Sequence, residues 1–289
     1  MDQTAISQEH GRPEISSRRT ETIWACLVLA AAAWLYFWTA TSAANPLSAK
    51  LQSDDLYNRL SDGFLAGQLS FIEKPDPRLA DLDDPWDPKQ NAGLSAFHDV
   101  TYYHEKYYLY FGPAPALLLL APWKAITGTY LGENVAAATF AWLGVAASMA
   151  LVLFLRRRHF PGMGGWVCGV CLVGIAFCNF ALPMLRRPVT YELAIAGAYA
   201  FAMAALLCVA LALEIGPRRR AWLFLAGLSY GLTLACRPNY LFGAVILVAP
   251  FMPAWLTWRR SRTLDRSALY RDIAAVGTPL AVVTLLLLT

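Results

Sequence analysis

From Val135 onward the chain is a succession of apolar runs separated by short clusters of charge. The runs are Val135–Leu155, Trp166–Leu185, Tyr191–Leu213, Ala221–Cys236, Leu241–Trp258 and Ile273–Thr289. A helix needs about 20 apolar residues to cross a bilayer's hydrocarbon. In lipid every backbone N–H and C=O must also be satisfied within the segment, so such runs must be helices. An earlier run, Ile23–Ala40, follows Arg18 and Arg19 and makes a seventh. Only 15% of the 289 residues are charged and 57% are hydrophobic. Soluble domains carry about a quarter charged residues. This balance excludes a soluble enzyme, a disordered chain and a small disulfide scaffold. The six cysteines all fall within apolar runs and read as small packing residues, including the Cys168-x-x-Cys171 pair.

The expected fold is an all-α integral membrane protein of about seven transmembrane helices with a long first periplasmic loop. Residues 1–21 read as a disordered cytoplasmic tail and 22–40 as the first transmembrane helix. Residues 41–134 read as a periplasmic loop with juxtamembrane helices, and 135–289 as a six-helix transmembrane region. Thr41-Ser42-Ala43 faintly resembles a signal-peptide cleavage site. The length of the preceding tail favours an uncleaved span with its N-terminus in the cytoplasm. The last run stops at Thr289 without a polar anchor, so the chain reads as truncated at its C-terminus.

The segment Leu109–Trp123 decides the topology. It is short for a span, and Pro113, Pro115 and Pro122 each lack a backbone donor. If it does not cross, Arg12, Arg18, Arg19, Arg156–Arg158, Arg218–Arg220 and the Arg259–Arg271 cluster all fall on the cytoplasmic side. Arg186, Arg187 and Arg237 are then the basic residues left in short outer loops. If it crosses, the positive-inside bias is reversed. The expectation is therefore a segment lying along or dipping into the outer surface. The net charge of +4 arises from residues beside apolar runs, which argues for a bilayer partner and against nucleic acid.

The basic residues that break the rule are informative. Arg186-Arg187-Pro188 and Arg237-Pro238 stand at the outer ends of spans. Arginine there can snorkel to headgroups, or its planar fork can hold a phosphate, which points to a phospholipid-like ligand. In the long loop, Leu56, Leu60, Phe64 and Leu65 have helical spacing, giving a short amphipathic helix suited to the interface. Asp54 and Asp55 stand at its start, where one carboxylate would cap the helix. The aromatic stretch around Phe97-His98-Asp99 and Tyr102–Phe111 fits a membrane interface.

Four stretches, DLYNRLSDGFLAGQL, FHDVTYYHEKYYLYFGPAPALLLL, RRPVTYELAIAG and CRPNYLF, resemble bacterial membrane proteins grouped with the GT-C glycosyltransferases. The resemblance runs from about Asp54 to Pro250. It implies transfer of a sugar from a polyprenyl-phosphate-linked donor to a lipid, glycan or protein acceptor, at the periplasmic face of a bacterial inner membrane. By motif position it implies Asp55, with Asp54 beside it, as the first-loop carboxylate that activates the acceptor or helps bind a divalent metal. Glu192 would be the acidic residue of the second outer loop. Arg187, Arg237 and Arg186 would bind substrate, joined by Lys106 and Tyr108 from the segment that resembles the relatives' loop helix. That segment reads Gly112-Pro113-Ala114-Pro115, without the relatives' lysine. His98 could join Asp55 at a metal.

Two other classes fit the same chain. A non-catalytic assembly subunit would leave the outer acids dispensable. A lipid or solute transporter would place charges at mid-depth in broken helices; Asn179 and Pro183 are the hints of that here. Labelling separates these readings. In a variant cleared of native cysteines, single cysteines at Asp55 and Glu192 will both react with a membrane-impermeant thiol reagent from the outer side. If Glu192 reacts only after the membrane is opened, the two acids cannot share a site.

Overall fold

The computed structural model describes residues 12–43, 47–48, 55–85, 87, 89–94, 97, 99–186, 190–214, 216–261 and 265–287. The protein is mostly helical, and six helices are long and apolar enough to cross a membrane: Arg19–Ser42, Glu133–His159, Gly165–Leu185, Thr190–Leu213, Pro238–Arg260 and Arg266–Leu286. The seventh expected run forms a helix, Arg219–Cys236, of 18 residues. It opens on Arg219 and Arg220 and carries Ser229, Tyr230 and Thr233, which lower its apolarity below that of the other six.

The first helix, α1 (Arg12–Ala43), begins inside the polar tail. After it the chain enters the long loop, whose neck is closed by an antiparallel pair, β1 (Leu47–Ser48) with β4 (Tyr130–Leu131). Within the loop lie α2 (Leu56–Leu65) and a hairpin of β2 (Val100–Tyr103) and β3 (Lys106–Leu109). The hairpin is the β-structure that the helical patterning did not foretell. His104 and Glu105 both have positive φ at its tip, the conformation a two-residue primed turn requires. Tyr107 points inward against Phe97 and Tyr102 with ring centroids 5.4 and 6.5 Å away.

The proline-bearing segment forms one wide π-helical turn (Ala116–Leu120) that leads into α3 (Ala121–Thr127). Together these make an apolar helix, Ala116–Thr127, of about 18 Å, too short for a 30 Å hydrocarbon core. The chain leaves α1 and returns into α4 (Glu133–His159) at the same end of the bundle. Asn134 Nδ2 donates to Ala40 O at 3.0 Å there. At the other end, Arg156 and Arg157 of α4 pair with Glu21 of α1.

The remaining elements are α5 (Gly165–Phe177), α6 (Ala181–Leu185), α7 (Thr190–Leu213), α8 (Arg219–Cys236), a 3₁₀ helix (Pro238–Phe251), α9 (Met252–Ser261) and α10 (Arg266–Leu286). Asn179 sits at the break between α5 and α6. Its Nδ2 donates to Ile175 O at 2.7 Å and Tyr36 Oη at 2.8 Å, and its Oδ1 accepts from Ala181 N at 2.7 Å. These bonds satisfy the backbone at the break and tie it to α1.

Small residues bring the helices together, as expected where no hydrophobic force separates helix from lipid. Tyr199 of α7 lies against Gly144 of α4 and its hydroxyl is 3.0 Å from Ser148 Oγ. Gly227 lets α8 approach the carbonyl of Val276 on α10, where a Cβ would collide. The outward faces are apolar; Phe242 is 91% exposed, which a hydrocarbon surround would cover. Replacing Gly227 with Val will therefore cost about 1–3 kcal/mol by overpacking. Gly174→Ala, where a Cβ meets nothing, will stay within about 0.5 kcal/mol of the parent. Thermal unfolding in detergent checks the contrast.

Candidate functional site

Five elements converge at the end of the bundle where the long loop lies: the starts of α2, α4 and α7, the end of α8, and the segment leaving β3. Helix N-termini present unsatisfied N–H groups and partial positive charge. Three such termini meet here, and the sequence places a carboxylate at each: Asp55, Glu133 and Glu192.

Glu133 stands at the centre. It is only 5% exposed. Its Oε1 accepts from the backbone N–H groups of Tyr57 at 2.6 Å and Asn58 at 3.2 Å, in the first turn of α2. Its Oε2 accepts from the hydroxyl of Thr190, at the start of α7, at 3.0 Å. One side chain of α4 thus caps α2 and holds α7. Asn58 is buried beside it and donates to Leu131 O at 3.0 Å.

Asp55 occupies the N-cap position of α2, but its side chain makes no cap hydrogen bond. The expectation that Asp54 or Asp55 caps the helix through its own carboxylate is therefore corrected for Asp55. Glu133 already holds the amides a local cap would take. Asp54 lies outside the described residues.

Tyr57 is fully buried and its hydroxyl donates to Gly112 O at 3.1 Å. Burial, then the neighbouring Cys236 and Glu133, push its phenol well above the ordinary value of 10, with Arg237 pulling the other way. It is a neutral donor. Gly112 in turn donates to Cys236 O at 3.2 Å, and a Cβ on it would strike the carbonyl of Ala235. A glycine is what lets the loop touch the end of α8.

The next residue is Arg237. Its guanidinium lies 4.4 Å from the Tyr191 ring centroid and 5.9 Å from that of Phe111, and its Nη2 donates to Tyr191 Oη at 3.3 Å. Its Nη1 is buried with no hydrogen-bond partner among the described residues. The aromatic pair holds the cation by its faces, which leaves the edge of the fork, where carboxylates and phosphates bind.

The other sequence-derived candidates are distributed as follows. Glu192 is half-buried in the first turn of α7, next to Tyr191. Arg186 is exposed in the turn after α6. Lys106 and Tyr108 alternate with the inward-facing Tyr107 and so lie on the outer face of the hairpin, paired with Tyr103 and Thr101. Arg187 and His98 lie outside the described residues. No three His, Cys, Asp or Glu side chains gather as a metal site would need among the described residues.

Glu133, Tyr57, Thr190, Tyr191 and Phe111 are the members of the site that sequence reasoning missed. For Glu133 a signal existed: an acid directly before the apolar run that starts at Val135, in the first turn of a helix.

Lys124, the lysine of α3, is engaged elsewhere. It pairs with Asp62 of α2 and donates to Tyr130 Oη at 2.6 Å, while Tyr130 donates to Asp62 Oδ2 at 2.7 Å. Comparison with protein-family models, curated proteins and solved structures finds no match.

Burial opposes the charge of Lys124, but its bonds to Asp62 and Tyr130 outweigh that, and its ammonium is held above the usual lysine range. A raised lysine pKa stabilises the fold in full below about 10.4, where the unfolded chain titrates, and the gain is lost as pH rises through the folded value. Asp62→Asn will lower stability by about 1 kcal/mol at pH 7, a part-buried pair broken on one side. The difference will shrink above about pH 10.5. Chemical denaturation across that range measures it.

Proposed function

We propose that the protein is a membrane glycosyltransferase that takes a sugar from a polyprenyl-phosphate-linked donor. Its acceptor is a lipid, glycan or protein at the periplasmic face of a bacterial inner membrane, and its N-terminus is cytoplasmic. The reading rests on one observation above the others. Asp55 and Arg237, the carboxylate and the cation named by the resemblance, stand at the same end of the bundle and are linked by Tyr57. Tyr57 is two residues from Asp55, and its hydroxyl binds the Gly112 carbonyl, whose own N–H binds the residue before Arg237.

In an inverting transfer, Asp55 takes the proton of the acceptor hydroxyl as that oxygen bonds to the anomeric carbon. The bond from that carbon to the phosphate oxygen breaks on the opposite side, and the electron pair leaves with the phosphate. Arg237 faces the growing negative charge with a fork already fixed by Tyr191 and Phe111, so little reorganisation is needed. Three helix N-termini add to the positive potential. The exposed apolar faces of the bundle suit a donor that arrives through the lipid.

The test uses purified full-length protein in liposomes with a panel of polyprenyl-phosphate-linked hexoses and pentoses. Asp55→Asn will reduce transfer by about 10²–10⁴-fold, the usual worth of a general base. Arg237→Ala will reduce it by about 10²-fold, and Arg237→Lys will recover part of the loss, because charge returns without the fork. Transfer that survives Asp55→Asn unchanged would sink the reading and favour a non-catalytic subunit or a transporter.

A further inference from the structure

A carboxylate at an N-cap normally turns onto the first N–H groups of its own helix, and a base occupied in that way is a poor one. In α2 this does not happen. Asp55 stands at the N-cap with φ −80° and ψ 61°, and the N–H groups of Tyr57 and Asn58 are held by Glu133, which reaches across from α4. The same Glu133 holds Thr190, whose neighbour Tyr191 carries the guanidinium of Arg237. Glu133, Tyr57, Asn58 and Thr190 are all no more than 5% exposed, so these bonds are shielded from bulk water.

We propose that Glu133 is a positioning residue, which caps α2 in place of Asp55 and thereby holds the Asp55 carboxylate off its own helix. By its second oxygen it fixes the start of α7, and with it Arg237, relative to α2. The proposal rests on the transferase reading for its functional meaning. The geometry behind it stands without that reading.

Removing Glu133 should send Asp55 back to the amides of α2. Capping favours the ionised form, so Asp55 should then ionise at lower pH. The charged and titratable groups at this end are Glu133 from α4, Tyr57 and Arg59 from α2, Glu192 from α7 and Arg237 from the end of α8; all except Glu133 are unchanged in the variant.

The experiment compares the parent, Glu133→Ala and Glu133→Gln as full-length proteins in detergent. Carbodiimide labelling of Asp55, read by mass spectrometry across pH 3–8, follows its protonated form. The labelling midpoint should move to lower pH in Glu133→Ala by about one unit, a typical effect of two new amide hydrogen bonds. Glu133→Gln, which keeps one acceptor oxygen, should move it less.

A stability cycle supplies the second readout. Asp55→Ala should lower the melting temperature more in the Glu133→Ala background, where Asp55 has become the cap, than in the parent. The cycle also serves if Glu133→Ala is too unstable to label, because it can be run on Glu133→Gln. An unmoved labelling profile together with additive melting shifts overturns the proposal. Failure of the transferase reading looks different: the parent transfers no sugar while the labelling and melting results still hold.

Discussion

A buried carboxylate with three donors is what the upper end of this molecule is built around. Isolated from water and unpaired, an ionised Glu133 would be strongly unfavourable. Two backbone N–H groups at the positive end of α2 and the Thr190 hydroxyl give it hydrogen-bond partners and reduce that cost. The bonds also solve a problem for α2, a ten-residue helix too short to be stable alone. Its first turn is satisfied from a neighbouring helix, and its far end is held to α3 by the Asp62–Lys124 pair. The loop helix is therefore fixed at both ends to elements of the bundle.

Charge is divided between the two ends of the bundle. At the end away from the loop, arginines meet acids directly: Arg156 and Arg157 with Glu21, Arg158 with Glu214, Arg219 and Arg220 with Asp272. Each pair joins two helices, so this end is tied by ion pairs. At the loop end, Arg237 is held by aromatic rings, and the carboxylate of Glu133 is held by neutral donors. Direct ion pairs at this end, Arg59 with Glu73 and Lys124 with Asp62, join elements of the long loop to one another.

Much of the architecture could be read from the chain because lipid imposes a simple rule: long apolar runs become helices. The proline-bearing segment reads as short for a span in the sequence, and it forms an apolar helix of about 18 Å. The amphipathic spacing of Leu56, Leu60 and Phe64 located α2, although Leu65 ends up 50% exposed at its last turn. The site was legible only in part. Arg237 stood out as a charge at the end of an apolar run, and Asp55 as a carboxylate at the start of an amphipathic helix. Glu133 did so less, because a glutamate at a helix start is common and nothing in spacing shows that it reaches residues more than seventy positions earlier. The hairpin was hidden by its aromatic density, which suits an interface as well as a strand.

The chain that returns from Arg237 is wound at three residues per turn for the fourteen residues Pro238–Phe251, a long run for so tight a helix. It is pinned beside α8 at two points, by Tyr230 Oη donating to Tyr240 O at 2.8 Å and by Arg219 Nη2 donating to Pro250 O at 2.9 Å. Eighteen α-helical residues of α8 rise about 27 Å, and fourteen 3₁₀ residues rise about 28 Å. The narrower winding thus lets a shorter segment run the full height of its partner. Wound as an α-helix, the same fourteen residues would span only about 21 Å, short of the height of α8. Arg237 is in effect the upper end of a stretched strut whose lower end is anchored by another arginine on the far side of the bundle.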